Sequence, residues 1–346
     1  AMSTTLATPH TSDAAPLSAA VPEEHIRHRR PYGSVLETIG WTPMIRLARV
    51  ARGIRTPLYG KADFFNPGGS VKDRVGMPMI ESHERAGTLK PGGTIVEATS
   101  GNTGVGLAIA AALKGYRCIF TMPDKMSQEK VRLLKAFGAE VIITPTAVPH
   151  DHPQNYVMMA KRIVSETPGA VLAGQFENPA NPAAHMATTG PEIWEQTDGR
   201  ITHFVAGAGT GGTLTGVGQM LKLARPEVQV VATEPATAAL LSGQAFTPHK
   251  IQGWTPDFIP KVLDRSVVDR IVPVSDDEAL ETARALAARE GIFCGISCGG
   301  TFAAALKVAG AAEPGAVILA MLPDTGERYL STALFADLPE GSDPEP

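Results

Sequence analysis

Cysteine is scarce in this 346-residue chain: Cys118, Cys294 and Cys298 are the only three, each among apolar or small residues. That scarcity argues against a disulfide framework and points to a reducing, cytoplasmic setting. An excess of one charge is also missing. The 31 Lys and Arg and the 35 Asp and Glu give a net charge of -4 and are mixed along the chain, which argues against a nucleic-acid surface or an anionic membrane. No apolar run is long enough to span a bilayer, and residues 1–30 hold no apolar core of signal-peptide type. The nine histidines form no ligand cluster, so no metal is expected. A small metabolite is the more natural partner.

With 43% apolar residues over this length, the chain exceeds what one ordinary core requires, and two lobes are expected. Residues 1–30 lack periodicity and the tail from Leu338 is turn-forming and acidic, so both ends are expected to be mobile. Between them short β-rich runs alternate with helical runs, as doubly wound α/β domains require. A first series takes strands over 94–98, 117–121 and 140–143, with helices over 103–113 and 127–137. A second takes strands over 203–206, 228–232 and 317–320, with helices over 214–224, 277–289 and 300–309. The expected division is an N-terminal lobe over 31–180 and a C-terminal lobe over 181–337. Ligands of such folds bind outside the carboxyl ends of the strands, here between the lobes.

Four glycine-rich turns stand out. Lys72 lies in Asn66-Pro67-Gly68-Gly69-Ser70-Val71-Lys72-Asp73-Arg74, where Phe64, Phe65 and Val71 can desolvate its ammonium and lower its pKa. Taken alone, a lysine opening a helix is an ordinary surface group. Thr99-Ser100-Gly101-Asn102-Thr103-Gly104 follows a strand and opens a helix, so its N–H groups and hydroxyls can receive an amino-acid carboxylate. The amide of Asn102 can instead donate to a phenolic oxygen, and an ordinary capped turn also fits. In Gly209-Thr210-Gly211-Gly212-Thr213, missing β-carbons let successive N–H groups approach phosphate oxygens; it is neither a lysine-bearing nucleotide loop nor a dinucleotide fingerprint.

The fourth turn, Gly295-Ile296-Ser297-Cys298-Gly299-Gly300, offers a neutral hydroxyl. Beside a pyridine nitrogen, Ser297 favours a neutral ring and β-elimination over transamination; it serves equally as a helix N-cap before Gly299. Cys298 and Cys294 have no histidine close in sequence and read as small buried residues. Gln175 can donate to a carboxylate or face solvent, Gly253 can let the chain approach a ring closely, and His185 and His249 can line a cleft. Together the turns provide an amine that condenses with an aldehyde, a carboxylate receptor, a phosphate cradle and a cap for a ring nitrogen. Pyridoxal 5'-phosphate (PLP) chemistry needs that set.

The ordered motifs NPGGSVKDR, TSGNTG, GTGGT and GISCGG resemble the fold-type II, PLP-dependent β-replacement family of cysteine synthases and cystathionine β-synthases, across about Tyr32 to Leu338. The resemblance implies a two-lobed fold with twisted, mostly parallel sheets flanked by helices. It further implies that Lys72 carries PLP, that Thr99, Ser100, Gly101, Thr103, Gln175 and Gly253 surround the substrate, and that Asn102 meets a cofactor oxygen. Gly209, Thr210, Gly211, Gly212 and Thr213 would hold phosphate, and Ser297 the pyridine nitrogen. NPANPAAHMATTGPEIWEQTDG, HKIQG and LPDTGERYLSTALF are more similar to cysteine synthases, whereas PDKMSQEKVRLLKAFGAEVIITPTAVPHDHPQNY and, in part, VLDRSVVDR are more similar to cystathionine β-synthases. The activity implied first is replacement of the acetate of O-acetyl-L-serine by sulfide to give L-cysteine; the alternative joins serine, or an activated serine, to homocysteine. A homodimer and a serine acetyltransferase partner are implied in the same way.

Overall fold

The structure, a computed structural model, describes residues 31–338, so the expectations for residues 1–30 and for the tail after Leu338 lie outside it. Strands run Met44–Arg46 (β1), Leu58–Ala62 (β2), Thr94–Ala98 (β3), Arg117–Pro123 (β4) and Glu140–Thr144 (β5). They continue as Ala170–Leu172 (β6), His203–Gly207 (β7), Gln229–Pro235 (β8), Arg270–Val274 (β9) and Ile318–Leu322 (β10). The helices are Asp73–Arg85 (α1), Asn102–Lys114 (α2), Gln128–Ala136 (α3), Tyr156–Glu166 (α4) and Ala180–Ala187 (α5). Thr189–Gln196 (α6), Gly212–Ala224 (α7), Asp276–Ala285 (α8) and Ile296–Gly310 (α9) complete them.

One sheet has the order β5-β4-β3-β6 and the other β1-β2-β10-β7-β8-β9, parallel throughout except for the β1–β2 pair. This is the two-lobed α/β architecture that the turns and periodicity implied. Sheet membership follows a different line from a division at residue 180, because β2 pairs in parallel with β10, from Leu58 opposite Ile318 to Ala62 opposite Leu322. β3 and β10 are buried at every position, which suits β-branched and aliphatic strands covered on both faces.

Two helix boundaries shift chemistry. α9 begins at Ile296 with Gly295 as its N-cap, so Ser297 lies inside the first turn rather than capping the helix before Gly299. The helix expected over 277–289 is α-helical only to Ala285 and ends in one π-helical turn, Leu286–Glu290, stopped by Gly291 in the left-handed conformation. The smaller sheet's core packs α1 and α2 together, and glycine permits their closeness. A β-carbon on Gly76 would strike the carbonyl of Gly106, and one on Gly106 would strike the carbonyl of Lys72.

A buried charge network fastens the start of α1. Arg74 donates from Nε to Asp63 Oδ2 and from Nη1 to Glu192 Oε1, each at 2.7 Å, and Lys61 Nζ lies 2.8 Å from Glu192 Oε2. All four side chains are withdrawn from solvent. Burial alone would raise the Asp63 carboxyl, but the Arg74 charge and its hydrogen bonds outweigh it and hold the group below the usual carboxylate range. Removing one member strands the others. Arg74→Met should therefore cost about 3–5 kcal/mol in urea unfolding; a loss below about 1 kcal/mol would show that the network contributes little.

Candidate active site

Lys72 caps the N-terminus of α1, and the end of β10 holds its turn. Val71 N–H donates to the Pro323 carbonyl at 2.8 Å, Thr325 N–H donates to the Gly69 carbonyl at 3.2 Å, and Ser70 pairs with Asp324 between them. Behind the turn, Asp73 Oδ2 accepts from Gly68 N–H at 2.5 Å, and burial raises that carboxyl to about 7. Lys72 itself opens into a cavity of about 790 Å³ between the two sheets. Burial pulls its amine down to about 8 against the opposing charge of Asp324, so neutral amine is available near neutrality. Phe65 does not contribute to that desolvation: it is 59% exposed, whereas Val71 is buried beside the lysine.

The second turn leaves the carboxyl end of β3. Thr99 is fully buried, and its hydroxyl oxygen accepts from Gly101 N–H at 2.9 Å and Gly104 N–H at 3.4 Å, which ties down the start of α2. Ser100, Asn102 and Thr103 reach the cavity, while Thr99 and Gly101 stand behind it. Gln175 reaches the cavity too. It receives a hydrogen bond from Thr103 Oγ1 at 2.6 Å and gives one to the Ala98 carbonyl at 2.5 Å, and its side chain also bonds the Glu97 carboxyl. Glu97 fixes this glutamine from below, accepting from Gly174 N–H at 2.6 Å and Gln175 N–H at 3.3 Å. Burial nonetheless raises Glu97 to about 7 against those hydrogen bonds.

The third turn leaves β7 and runs into α7, whose first N–H groups have no intrahelical partner and can hold an anion. Gly211 makes the bend at φ 86°. Gly209, Thr210 and Thr213 line the cavity, and Gly211 and Gly212 form its backing. Asn181 joins this turn to the carboxylate side, donating to Thr210 Oγ1 at 3.1 Å and to the Gln175 carbonyl at 2.9 Å. His185 does not line the cavity. It is buried behind Thr213, with Nε2 3.3 Å from Thr213 Oγ1 and Nδ1 2.8 Å from Thr189 Oγ1. Burial, then the nearby charges of Lys72 and Arg74, lowers it to about 3, so it stays a neutral imidazole.

Ser297, Gly253 and His249 complete the lining already expected, and Lys125, Lys250 and Asp257 join them. The sequence reading gave no role to Asn181, Asp324, Arg328 or Lys130. Of these, Asp324 and Arg328 lie in LPDTGERYLSTALF, whose similarity to cysteine synthases gives its polar residues no individual role. Cys294 and Cys298 are buried free thiols, and burial, followed by their mutual interaction, lifts Cys298 well above the ordinary range, leaving it unsuited as a nucleophile. Among the described residues no His, Cys, Asp and Glu group can hold a metal, and no helix is long and apolar enough to cross a membrane.

The donor set fits PLP. The 209–213 turn presents only N–H groups and hydroxyls, suited to a phosphate dianion, and a desolvated amine and a neutral Ser297 hydroxyl face the same cavity. A cavity of this kind between two such sheets defines the class, a fold-type II enzyme that runs amino-acid β-replacement on PLP. A model of the pyridoxal-phosphate dependent enzyme family matches residues 35–324, and the chain belongs to that family. It is 51% identical over 313 residues to an O-ureido-L-serine synthase of Streptomyces lavendulae, covering 90% of this chain and 95% of that one. A cysteine synthase of Staphylococcus aureus is 46% identical, covering 89% and 98%. A rabbit (Oryctolagus cuniculus) cystathionine beta-synthase is 47% identical, but the match covers 87% of this chain and only 56% of the relative. A crystal structure of an O-ureido-L-serine synthase superposes with a TM-score of 0.84 at 50% identity, covering 91% and 98%.

Two measurements follow from the geometry. The rate at which cofactor-free protein captures PLP in a borohydride-fixable adduct should rise with pH to a midpoint near 8, and Lys72→Ala should form no such adduct in α1's peptide. A midpoint near the ordinary 10.5 would contradict the desolvated amine. Glu97 supplies the second. Its folded value near 7 exceeds its ordinary 4.5, so the folded state binds the extra proton and stability should fall as pH rises across that window. Glu97→Gln should flatten the slope, and an unchanged slope would exclude Glu97 as its source.

Proposed function

We propose that this enzyme replaces the acetate of O-acetyl-L-serine by sulfide, giving L-cysteine. The carrying observation is the charge of the cavity wall: Lys72, Lys125 and Lys250 line it, and among the described residues Asp257 is its one carboxyl group. Asp257 Oδ1 lies 3.3 Å from His150 Nδ1. Burial also lowers His249, leaving it uncharged at neutral pH. A departing hydroxide would need a proton from a lysine ammonium, Lys72 foremost, whereas acetate leaves as a stable anion that needs none. The same positive wall concentrates hydrosulfide.

When bound, PLP supplies the electron sink that makes the α-hydrogen acidic and lets the β-substituent leave. Lys72 is the residue that would hold PLP, and its Nζ would take the α-proton of the bound amino acid and later return a proton to the same carbon. Ser100 and the backbone N–H groups that open α2 would receive the substrate carboxylate, beside the mutually bonded Thr103 and Gln175 side chains, which would set the α-hydrogen towards the lysine. Ser297 would give the ring nitrogen a neutral hydroxyl partner, favouring β-chemistry over transamination. A cysteine synthase role carries with it the homodimer, the cytoplasmic setting and the serine acetyltransferase partner implied by the family.

A second reading has its own support in the 51% identity, over nearly the whole of both chains, to an O-ureido-L-serine synthase. Addition of the hydroxyl oxygen of N-hydroxyurea to the same β-carbon would give that product. Holoenzyme supplied with O-acetylserine should use sulfide with a kcat/KM about tenfold or more above that for hydroxyurea, and should turn over serine with homocysteine more slowly still. Preference for hydroxyurea would install the second reading. Turnover only of serine with homocysteine would remove O-acetylserine as donor.

A further inference from the structure

Asn102 reaches the cavity from the first residue of α2, and both ends of its amide are occupied from behind. Its Nδ2 donates to Asp324 Oδ2 at 2.8 Å, and its Oδ1 accepts from Arg328 Nη1 at 2.7 Å. The two partners are buried, at 1% and 5% exposure. Chemistry fixes which end faces which: a guanidinium has no acceptor and a carboxylate no donor, so exchanging amide oxygen and nitrogen would oppose donor to donor and acceptor to acceptor. One Nδ2 hydrogen remains.

We propose that Asp324 and Arg328 are positioning residues that lock the Asn102 amide, so that it offers the cavity a hydrogen-bond donor and withholds its acceptor. The ligand group this selects is an anionic or strongly accepting oxygen; on PLP that is the ring hydroxyl oxygen in its ionised form. The inference rests on the PLP reading of the cavity and on Asn102 meeting that oxygen.

The clamp is itself held rigidly. Asp324 Oδ2 also accepts from Tyr329 OH at 2.5 Å, and Tyr329 OH lies 3.3 Å from Lys130 Nζ, which donates to Gln252 Oε1 at 2.9 Å. The Asp324 carbonyl accepts from Gly295 N–H at 3.0 Å, and the backbone pairing with Ser70 fixes Asp324 opposite the Lys72 turn. Lys72 and Lys130 both feel the charge of Asp324. A change at Asp324 therefore disturbs the lysine as well as the amide, and a test must separate the two.

Comparing two ligands separates them. Cofactor-free protein is titrated with PLP and with 3-deoxypyridoxal 5'-phosphate, which lacks the ring oxygen but keeps the aldehyde and the phosphate, and the ratio of the two Kd values is read from protein fluorescence. Effects on Lys72 or on the phosphate turn act on both ligands and cancel in the ratio. Asn102→Ala should lower the wild-type preference for PLP by about tenfold, the size of one charge-assisted hydrogen bond. Asp324→Ala should lower it to the same level, Arg328→Met should move it in the same direction, and Asp324→Asn, which keeps an acceptor for Asn102 Nδ2, should restore most of it.

A preference unchanged in both Asp324→Ala and Arg328→Met overturns the proposal, as does equal weakening of both ligands in both variants. If Asp324→Ala does not fold, Arg328→Met and Asp324→Asn decide alone. An unchanged preference in Asn102→Ala would also overturn it, by removing Asn102 as the donor, yet it would leave the sulfide and hydroxyurea assays, and the β-replacement reading they test, untouched.

Discussion

Lys72 is held in place by a strand that arrives some 250 residues later in the chain, and the other arrangements depend on that contact. Gly69 to Val71 and Pro323 to Thr325 exchange backbone hydrogen bonds at the mouth of β10, so the turn bearing Lys72 is an extension of the larger sheet although its helix packs in the smaller lobe. Two further constraints act on the same few residues. Gly106 lets α2 touch the carbonyl of Lys72, and Arg74 anchors the first turn of α1 between Asp63 and Glu192. The lysine is thus fixed by backbone on one side, by helix contact on another and by buried charge on a third, leaving its amine as the part free to react.

The electrostatics of the cavity follow from this placement. Burial makes Lys72 a weaker base than a surface lysine, and Asp324 keeps that shift moderate. His185, close behind, stays neutral, so it supports the phosphate turn through Thr213 without adding a charge that titrates near neutrality. Lys125 and Lys250 extend the positive wall outwards, where the proposed anionic nucleophile would enter.

Much of this was legible in the sequence because glycine-rich turns at strand ends carry their geometry locally. β3 occupies the five residues expected of it, and the turns at Ser100, Gly209 and Ser297 face one cavity as their positions after strands or at helix starts implied. The membership of β1 and β2 in the larger sheet was not legible, since pairing with β10 is a long-range choice that no local pattern encodes. The same limit hid Asp324 and Arg328: each is an ordinary polar residue in sequence and gains its role only by meeting Asn102, more than 200 positions earlier. Thr99 illustrates the converse. Its hydroxyl had two local uses, and the structure commits it to the backbone of α2.

The central claim is that one amine and one helix N-terminus grip the two ends of the same cofactor. A crystal structure of the PLP-loaded protein tests it directly. The account predicts a covalent bond from Lys72 Nζ to the aldehyde carbon and phosphate oxygens within hydrogen-bond reach of the N–H groups of residues 209–213. A cofactor bound through another lysine, or with its phosphate seated away from the start of α7, would contradict it.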